Sequence, residues 1–226
     1  MLSRDPALSP YHVRASRLPV NRGNVEEIVF ARPDLVITAG RATPLAARML
    51  ERLDVPLLEL ERAETFTAYA RNLVHLAGVL GAEQRAETLL QALWRAIGTR
   101  APLTAASDAP RAIVYQPNGY TPGTRTLVHR ILRRAGLRDI AAELGLHGGG
   151  FVSLERLLLA RPDVIVFAGR REAAASLAEA MLHHPALRTL LAGPHAPRAV
   201  TVAAHLWTCA GSHAATAVRQ LSALGQ

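Results

Sequence analysis

Cysteine, lysine and aromatic residues are scarce in this sequence. The single cysteine, Cys209, excludes an internal disulfide and a thiolate zinc cluster, and leaves the redox compartment open. Lysine is absent, so all 26 cationic residues are arginine, a pattern of coding bias rather than of a nucleic-acid surface. The arginines are scattered, and aromatics make up 4% of the chain. They do not interleave with a basic stripe as stacking platforms for single-stranded nucleic acid would. No nucleic-acid partner is therefore expected, despite a formal net charge of +8. Long apolar runs are missing too: Leu157–Ala160 and Val164–Ala168 fall far short of the ~20 residues that cross a bilayer. The opening residues, Met1 to Pro6, carry an acid and a proline where a secretory leader would be apolar, so no signal peptide is visible in this chain.

Catalytic signatures are equally thin. There is no Gly-x-Ser-x-Gly elbow, and the loop Pro117–Gly123 lacks both the Gly-Lys-Ser/Thr ending of a phosphate loop and the Gly-x-Gly-x-x-Gly of a dinucleotide site. His183 and His184 are adjacent and point differently, and no His-x-x-x-His pair accompanies a nearby carboxylate. Neither a catalytic residue, a metal site nor a cofactor is assigned, although His147 and His205 lie near loops expected to border a binding cleft.

What is present is a chain of 226 residues, 50% hydrophobic and 19% charged, suited to one large domain or two small lobes. It contains an internal repeat. Residues 24–41 match residues 153–170 without a gap at an offset of 129 (153 − 24), with Glu, Ala-Arg-Pro-Asp and Ala-Gly-Arg shared by both copies. Asn24 and Ser153 are N-cap residues, and Asn24 with Glu27 has the capping-box spacing. Pro33 and Pro162 stop the short helices. The apolar runs Leu35–Ala39 and Val164–Ala168 then read as parallel strands buried on both faces, ended by Gly40 and Gly169. Thr43-Pro44 opens a helix to about Leu53, and Val55–Leu60 is the next strand. Further on, Ala112–Gln116 and Ala199–Ala204 read as strands, and Thr124–Ala135, Ala173–Leu182 and Ser212–Leu224 as helices. Between the copies, Thr67–Arg100 is almost wholly helix-compatible.

The pattern predicts an α/β chain of two Rossmann-like lobes with parallel sheets and a ligand cleft between them. Residues 1–80 form the N-terminal lobe, 81–100 a long linking helix and 101–226 the C-terminal lobe. A strand, a loop and a helix precede the second copy, whereas residues 1–23 contain no apolar strand. The first lobe is thus expected to be incomplete, lacking its opening strand and helix.

With Asn24-Val-Glu-Glu…Arg-Pro-Asp-Leu-Val-Ile, its copy Val152-Ser-Leu-Glu…Arg-Pro-Asp-Val-Ile-Val, the loop Gln116-Pro-Asn-Gly-Tyr-Thr-Pro-Gly and the late Leu206-Trp-Thr-Cys-Ala-Gly, the chain resembles the periplasmic substrate-binding proteins of ABC importers for iron–siderophore, haem and cobalamin. The resemblance implies a monomer with a small-molecule metal chelate held between two lobes, delivered to an ABC permease in the inner membrane. It also implies that a glutamate on each lobe docks onto permease arginines; by position these are Glu26 and Glu155. Both also fall in a helix first turn, where a carboxylate is favoured by the helix dipole alone.

Ligand candidates come from strand ends, since open α/β sheets bind ligands outside the carboxyl ends of their strands. Arg41 and Arg170 follow the two repeated strands, and their forks suit carboxylates, catecholates or haem propionates unless they serve as surface ion pairs. Asn118 and Tyr120 lie in the loop after the next strand. Trp207, just past the last strand, either stacks on a planar ligand or covers the sheet edge. The alternative is a cytoplasmic two-lobed enzyme or sensor acting on an anionic small molecule, because the plan is shared with enzymes.

Overall fold

The computed structural model describes residues 3–5, 8–20, 22–98, 108–169, 184–208 and 210–224. Arg170, Cys209, His183 and the helix expected over 173–182 lie outside these described residues.

The first lobe opens with a short helix, α1 (His12–Ser16), that the sequence pattern did not reveal. The first copy of the repeat follows as α2 (Val25–Phe30) and β1 (Val36–Ala39). The capping box does not form: Asn24 caps nothing with its side chain, because the Glu27 carboxylate instead accepts from the Arg22 N–H at 2.7 Å and pairs with its guanidinium at 3.0 Å. Thr43 does cap α3 (Pro44–Arg52), accepting from Ala46 N at 3.2 Å with Pro44 in the first turn. β2 (Leu57–Leu60) pairs parallel to β1, Val36 opposite Leu57 and Ala39 opposite Leu60. Among the described residues this lobe has only these two strands, and β1 is half exposed, with Ile37 47% open.

Thr65 caps α4 (Phe66–Leu80), which Gly81 ends at φ 61°, a left-handed turn that glycine takes without a Cβ clash. α5 (Glu83–Ile97) then runs to the second lobe, where Leu93 and Ile97 join the core.

The second lobe holds the main sheet. β3 (Arg111–Tyr115), β5 (Arg138–Asp139), β7 (Val164–Gly169) and β8 (Arg198–Ala203) lie all parallel in the order β5-β3-β7-β8. The apolar runs are continuous because both faces are covered. Ala112, Val114 and Val164 face a core shared with α6 (Leu127–Arg134), α10 (Ser212–Ser222) and α5. Ile113, Tyr115 and Ile165 face α7 (Ile140–Glu143), α8 (Leu154–Ala160) and α9 (Pro185–Ala192). The helix expected from Thr124 begins at Leu127, because Thr126 is its cap. The expected loops after β3 and at Gly148–Gly150 contain an antiparallel strand pair, β4 (Tyr120–Pro122) with β6 (Gly149–Phe151). α9 had no sequence expectation.

Candidate functional site

The rim of the second lobe is built at the carboxyl ends of β3, β7 and β8. Immediately after β3 the chain makes a tight turn in which Gly119 N donates to Gln116 O at 3.0 Å and Gln116 N to Tyr120 O at 2.9 Å. Asn118 stands exposed at its apex with φ 60°. Tyr120 then enters β4, where its ring meets Phe151 of β6 edge-on at 5.7 Å. Phe151 is 69% exposed, so the pair forms an open aromatic surface. Close packing demands glycine beneath it: a Cβ on Gly149 would lie 2.5 Å from the Tyr120 hydroxyl. The hydroxyl of Tyr115 at the end of β3 donates to Val152 O at 3.2 Å, and burial pushes that phenol's pKa up.

After β8 a short 3-10 turn, Ala204–Leu206, carries His205. Its ring meets that of His213, in the first turn of α10, at 6.1 Å, and Tyr11 from the chain's opening segment meets His213 at 6.0 Å. Burial, then the charge of His205, lowers the pKa of His213 below 6.5 and so favours its neutral imidazole. A neutral imidazole is a lone-pair donor, and two imidazoles beside a phenol are the side chains that iron and its chelates accept. Among the described residues no three His, Cys, Asp or Glu side chains converge on a metal position. His205 was visible as a rim residue in the sequence; Tyr11 and His213 were not, because their meeting joins opposite ends of the chain.

The other expected residues are less gathered. Arg41 is exposed just beyond β1, where the neighbouring Ala42 N donates to Glu59 at 2.8 Å. Trp207 is 5% exposed and belongs to the core with Leu206 and Ala210, so it supports the rim from behind and offers no open ring face. Glu26 and Glu155 are both exposed. Each sits in the first turn of its helix, and the Glu155 charge acts on Tyr115 at the carboxyl end of β3. Hydrogen bonds from its own backbone N–H and from Ser153 hold the Glu155 carboxyl below its ordinary pKa.

A cavity of about 500 Å³ lies elsewhere, between the first turn of α4 and α6, lined by Thr67, Trp94, His129, Arg130 and Arg133. His129 is held there by Asp139 at 2.7 Å, and Asp139 also caps α7 through Ala141 N at 2.9 Å. The arginines sit toward the end of α6 that lies at the amino ends of the strands, away from the rim.

A family model described as periplasmic binding protein matches residues 4–195. A periplasmic heme-binding protein from Pseudomonas aeruginosa is 25% identical over 98% of this chain and 83% of its own, with a TM-score of 0.72. The apo form of a periplasmic heme-binding protein from Roseiflexus sp. RS-1 is 21% identical over 88% of this chain and 78% of its own, with a TM-score of 0.70. An ABC-type Fe3+-hydroxamate transport protein from Saccharomonospora viridis is 20% identical over 90% and 71%, with a TM-score of 0.61. No curated protein matches. With the family pattern running through both copies of the repeat and the two-lobed α/β plan shared with these structures, the chain belongs to the periplasmic binding protein family.

Proposed function

We propose that this chain is the solute-binding component of an ABC importer, and that its ligand is an iron chelate of haem type. The observation that carries the ligand class is the convergence of Tyr11, His205 and His213 at the carboxyl end of β8. Haem leaves axial positions on its iron for such donors, whereas a hexadentate siderophore fills them itself. The open faces of Tyr120 and Phe151 supply an apolar wall for a flat ring system. Arg41 and Arg170 are assigned to the anionic groups of the ligand, and Asn118 to its polar edge. Glu26 and Glu155 are assigned to docking on the permease. The protein works as a monomer in the periplasm and carries out no chemistry on its cargo. Family membership does not favour the enzyme or sensor alternative.

The test is a Soret-band titration of the folded full chain with haemin, run beside cobalamin and a hydroxamate ferric siderophore. Saturable binding of haemin, with an absorption change that His205→Ala and His213→Ala variants lose, is the expected result. A folded chain that binds none of the three overturns the importer reading, and preferential binding of the siderophore overturns the haem assignment.

A further inference from the structure

Phe30 and Leu159 are the two most exposed large apolar side chains among the described residues, at 91% and 81%. They occupy the same position in the two copies of the repeat, 129 residues apart (159 − 30). Each follows the glutamate of its copy by four residues, Glu26 to Phe30 and Glu155 to Leu159, a spacing that stacks two side chains on one helix face. The inward faces correspond as well. Leu154 and Leu157 of α8 are buried, and their counterparts Val25 and Ile28 are the partly buried apolar positions of α2, where Glu27 is partly buried too. Poor packing does not account for Leu159: in the well-packed second lobe only it and Phe151 are exposed large hydrophobics among the described residues.

We propose that Glu26 with Phe30, and Glu155 with Leu159, are two copies of one bipartite docking patch. Their partner is a two-fold symmetric membrane permease that presents, twice, a cationic side chain beside an apolar cup. The proposal rests on the importer reading and adds the apolar half of the contact. An exposed carboxylate pairing with a cation in water contributes little, so two rim glutamates supply orientation and steering more than affinity. An apolar side chain one turn away buries area and keeps water from the ion pair, as the centre of an interface does. Two identical subunits present the same surface twice, and joining both patches at once multiplies their effect. A second copy of this chain is a poor occupant, since it would set carboxylate against carboxylate.

The experiment measures ATP hydrolysis by the permease–ATPase complex of this importer in proteoliposomes, as a function of full-chain binding protein loaded with haemin. Phe30→Ser and Leu159→Ser should each raise the half-maximal concentration about tenfold, the scale of losing one central interface side chain, and together by more. Phe30→Leu and Leu159→Met should stay near wild type. Haemin affinity and thermal melting should be unchanged in all four. If the serine variants stimulate like wild type while Glu26→Ala and Glu155→Ala fail, the apolar half is wrong and the importer reading stands. If the glutamate variants are also wild-type, or the unaltered chain does not stimulate, the docking reading itself fails. A wild-type dimer in sedimentation that the serine variants dissolve would assign the patches to self-association and overturn the proposal.

Discussion

Arg32 and Arg161 share one backbone conformation, with φ 46° and 44°, at equivalent positions of the repeat. Each donates its N–H to the carbonyl three residues back, Arg32 to Val29 O at 3.1 Å and Arg161 to Leu158 O at 3.3 Å. The following proline disfavours a helical residue there, and the left-handed turn ends the helix and aims the chain into the strand.

That conformation costs an L-residue about 1–2 kcal/mol, and glycine avoids it while losing some of the gain to a freer unfolded chain. The Arg161 side chain is exposed, and its carbonyl, which accepts from Arg111 Nη1 at 3.0 Å, survives substitution. Arg161→Gly should therefore raise stability by about 0.5 kcal/mol, and Arg161→Val should lower it by more than about 1 kcal/mol, because branching at Cβ worsens the clash. Urea unfolding of the three proteins checks the order; valine equal to glycine would show that no strain is held there.

Gly123 lets the strap at 146–147 close on the loop that carries Tyr120. Thr124 N donates to Leu146 O at 2.9 Å and Arg125 N to His147 O at 2.8 Å, so the two segments lie backbone to backbone. A Cβ on Gly123 would lie 2.6 Å from the carbonyl carbon and oxygen of His147, atoms that cannot swing aside. Gly123→Ala should cost about 2 kcal/mol, in the range of overpacking a tight site, and should weaken haemin binding by loosening the Tyr120–Phe151 pair. Gly148→Ala, where a Cβ meets nothing within 4 Å, is the control that should melt like wild type. Equal melting of the two variants would mean that the loop shifts freely.

β1, β2, β3, β7 and β8 were legible because each is a mainly apolar run between turn residues, a pattern that needs no knowledge of its neighbours; β5 was not, since Arg138–Asp139 carries no apolar residue. β4 and β6 were not, since Gly149 and Gly150 carry no apolar period and the pair is held by main-chain bonds and one aromatic contact. The Asn24–Glu27 capping box failed through competition: Arg22, five residues before Glu27, takes the carboxylate first. Exposure was the least legible property. Phe30 reads as core in a helix pattern, and only the fold shows that Ile28 takes the inward place.

Glu143 joins three elements of the second lobe. Arg111, at the start of β3, and Arg138, in β5, both pair with it, and Arg111 Nη1 also reaches Ala160 O at the end of α8 at 2.6 Å. Hydrogen bonding to Arg111 holds the Glu143 carboxyl below its ordinary 4.5. A carboxyl lowered in the folded state contributes stability above its unfolded pKa and loses it as pH falls through the folded value. Glu143→Gln should therefore lower the melting temperature at neutral pH, by an amount modest for a partly exposed network. The difference from wild type should shrink as pH falls below about 4.5. A difference that stays constant from neutral to acidic pH would mean that the charge contributes nothing.

His213 sets a second pH dependence, in a different window. Its pKa is lowered below 6.5 by burial first and by His205 second, so the folded chain resists the proton that the unfolded chain accepts. In that interval the unfolded state binds more protons, and stability falls as pH drops below 6.5 toward the folded value. Replacing His213 by asparagine keeps a polar side chain of similar reach and removes the titration, so the His213→Asn variant should show a flatter loss of stability across mildly acidic pH. A variant with the wild-type slope would place the proton uptake elsewhere. The same shift matters for the ligand. A pKa lowered by burial widens the range in which the His213 imidazole offers its lone pair to iron, so the share of haemin affinity that depends on His213 should persist further into mildly acidic pH than an ordinary histidine would allow. Soret titrations of the wild type and of His213→Asn on either side of that value check this: identical pH profiles would remove His213 from the iron-facing set and leave His205 and Tyr11 as its members.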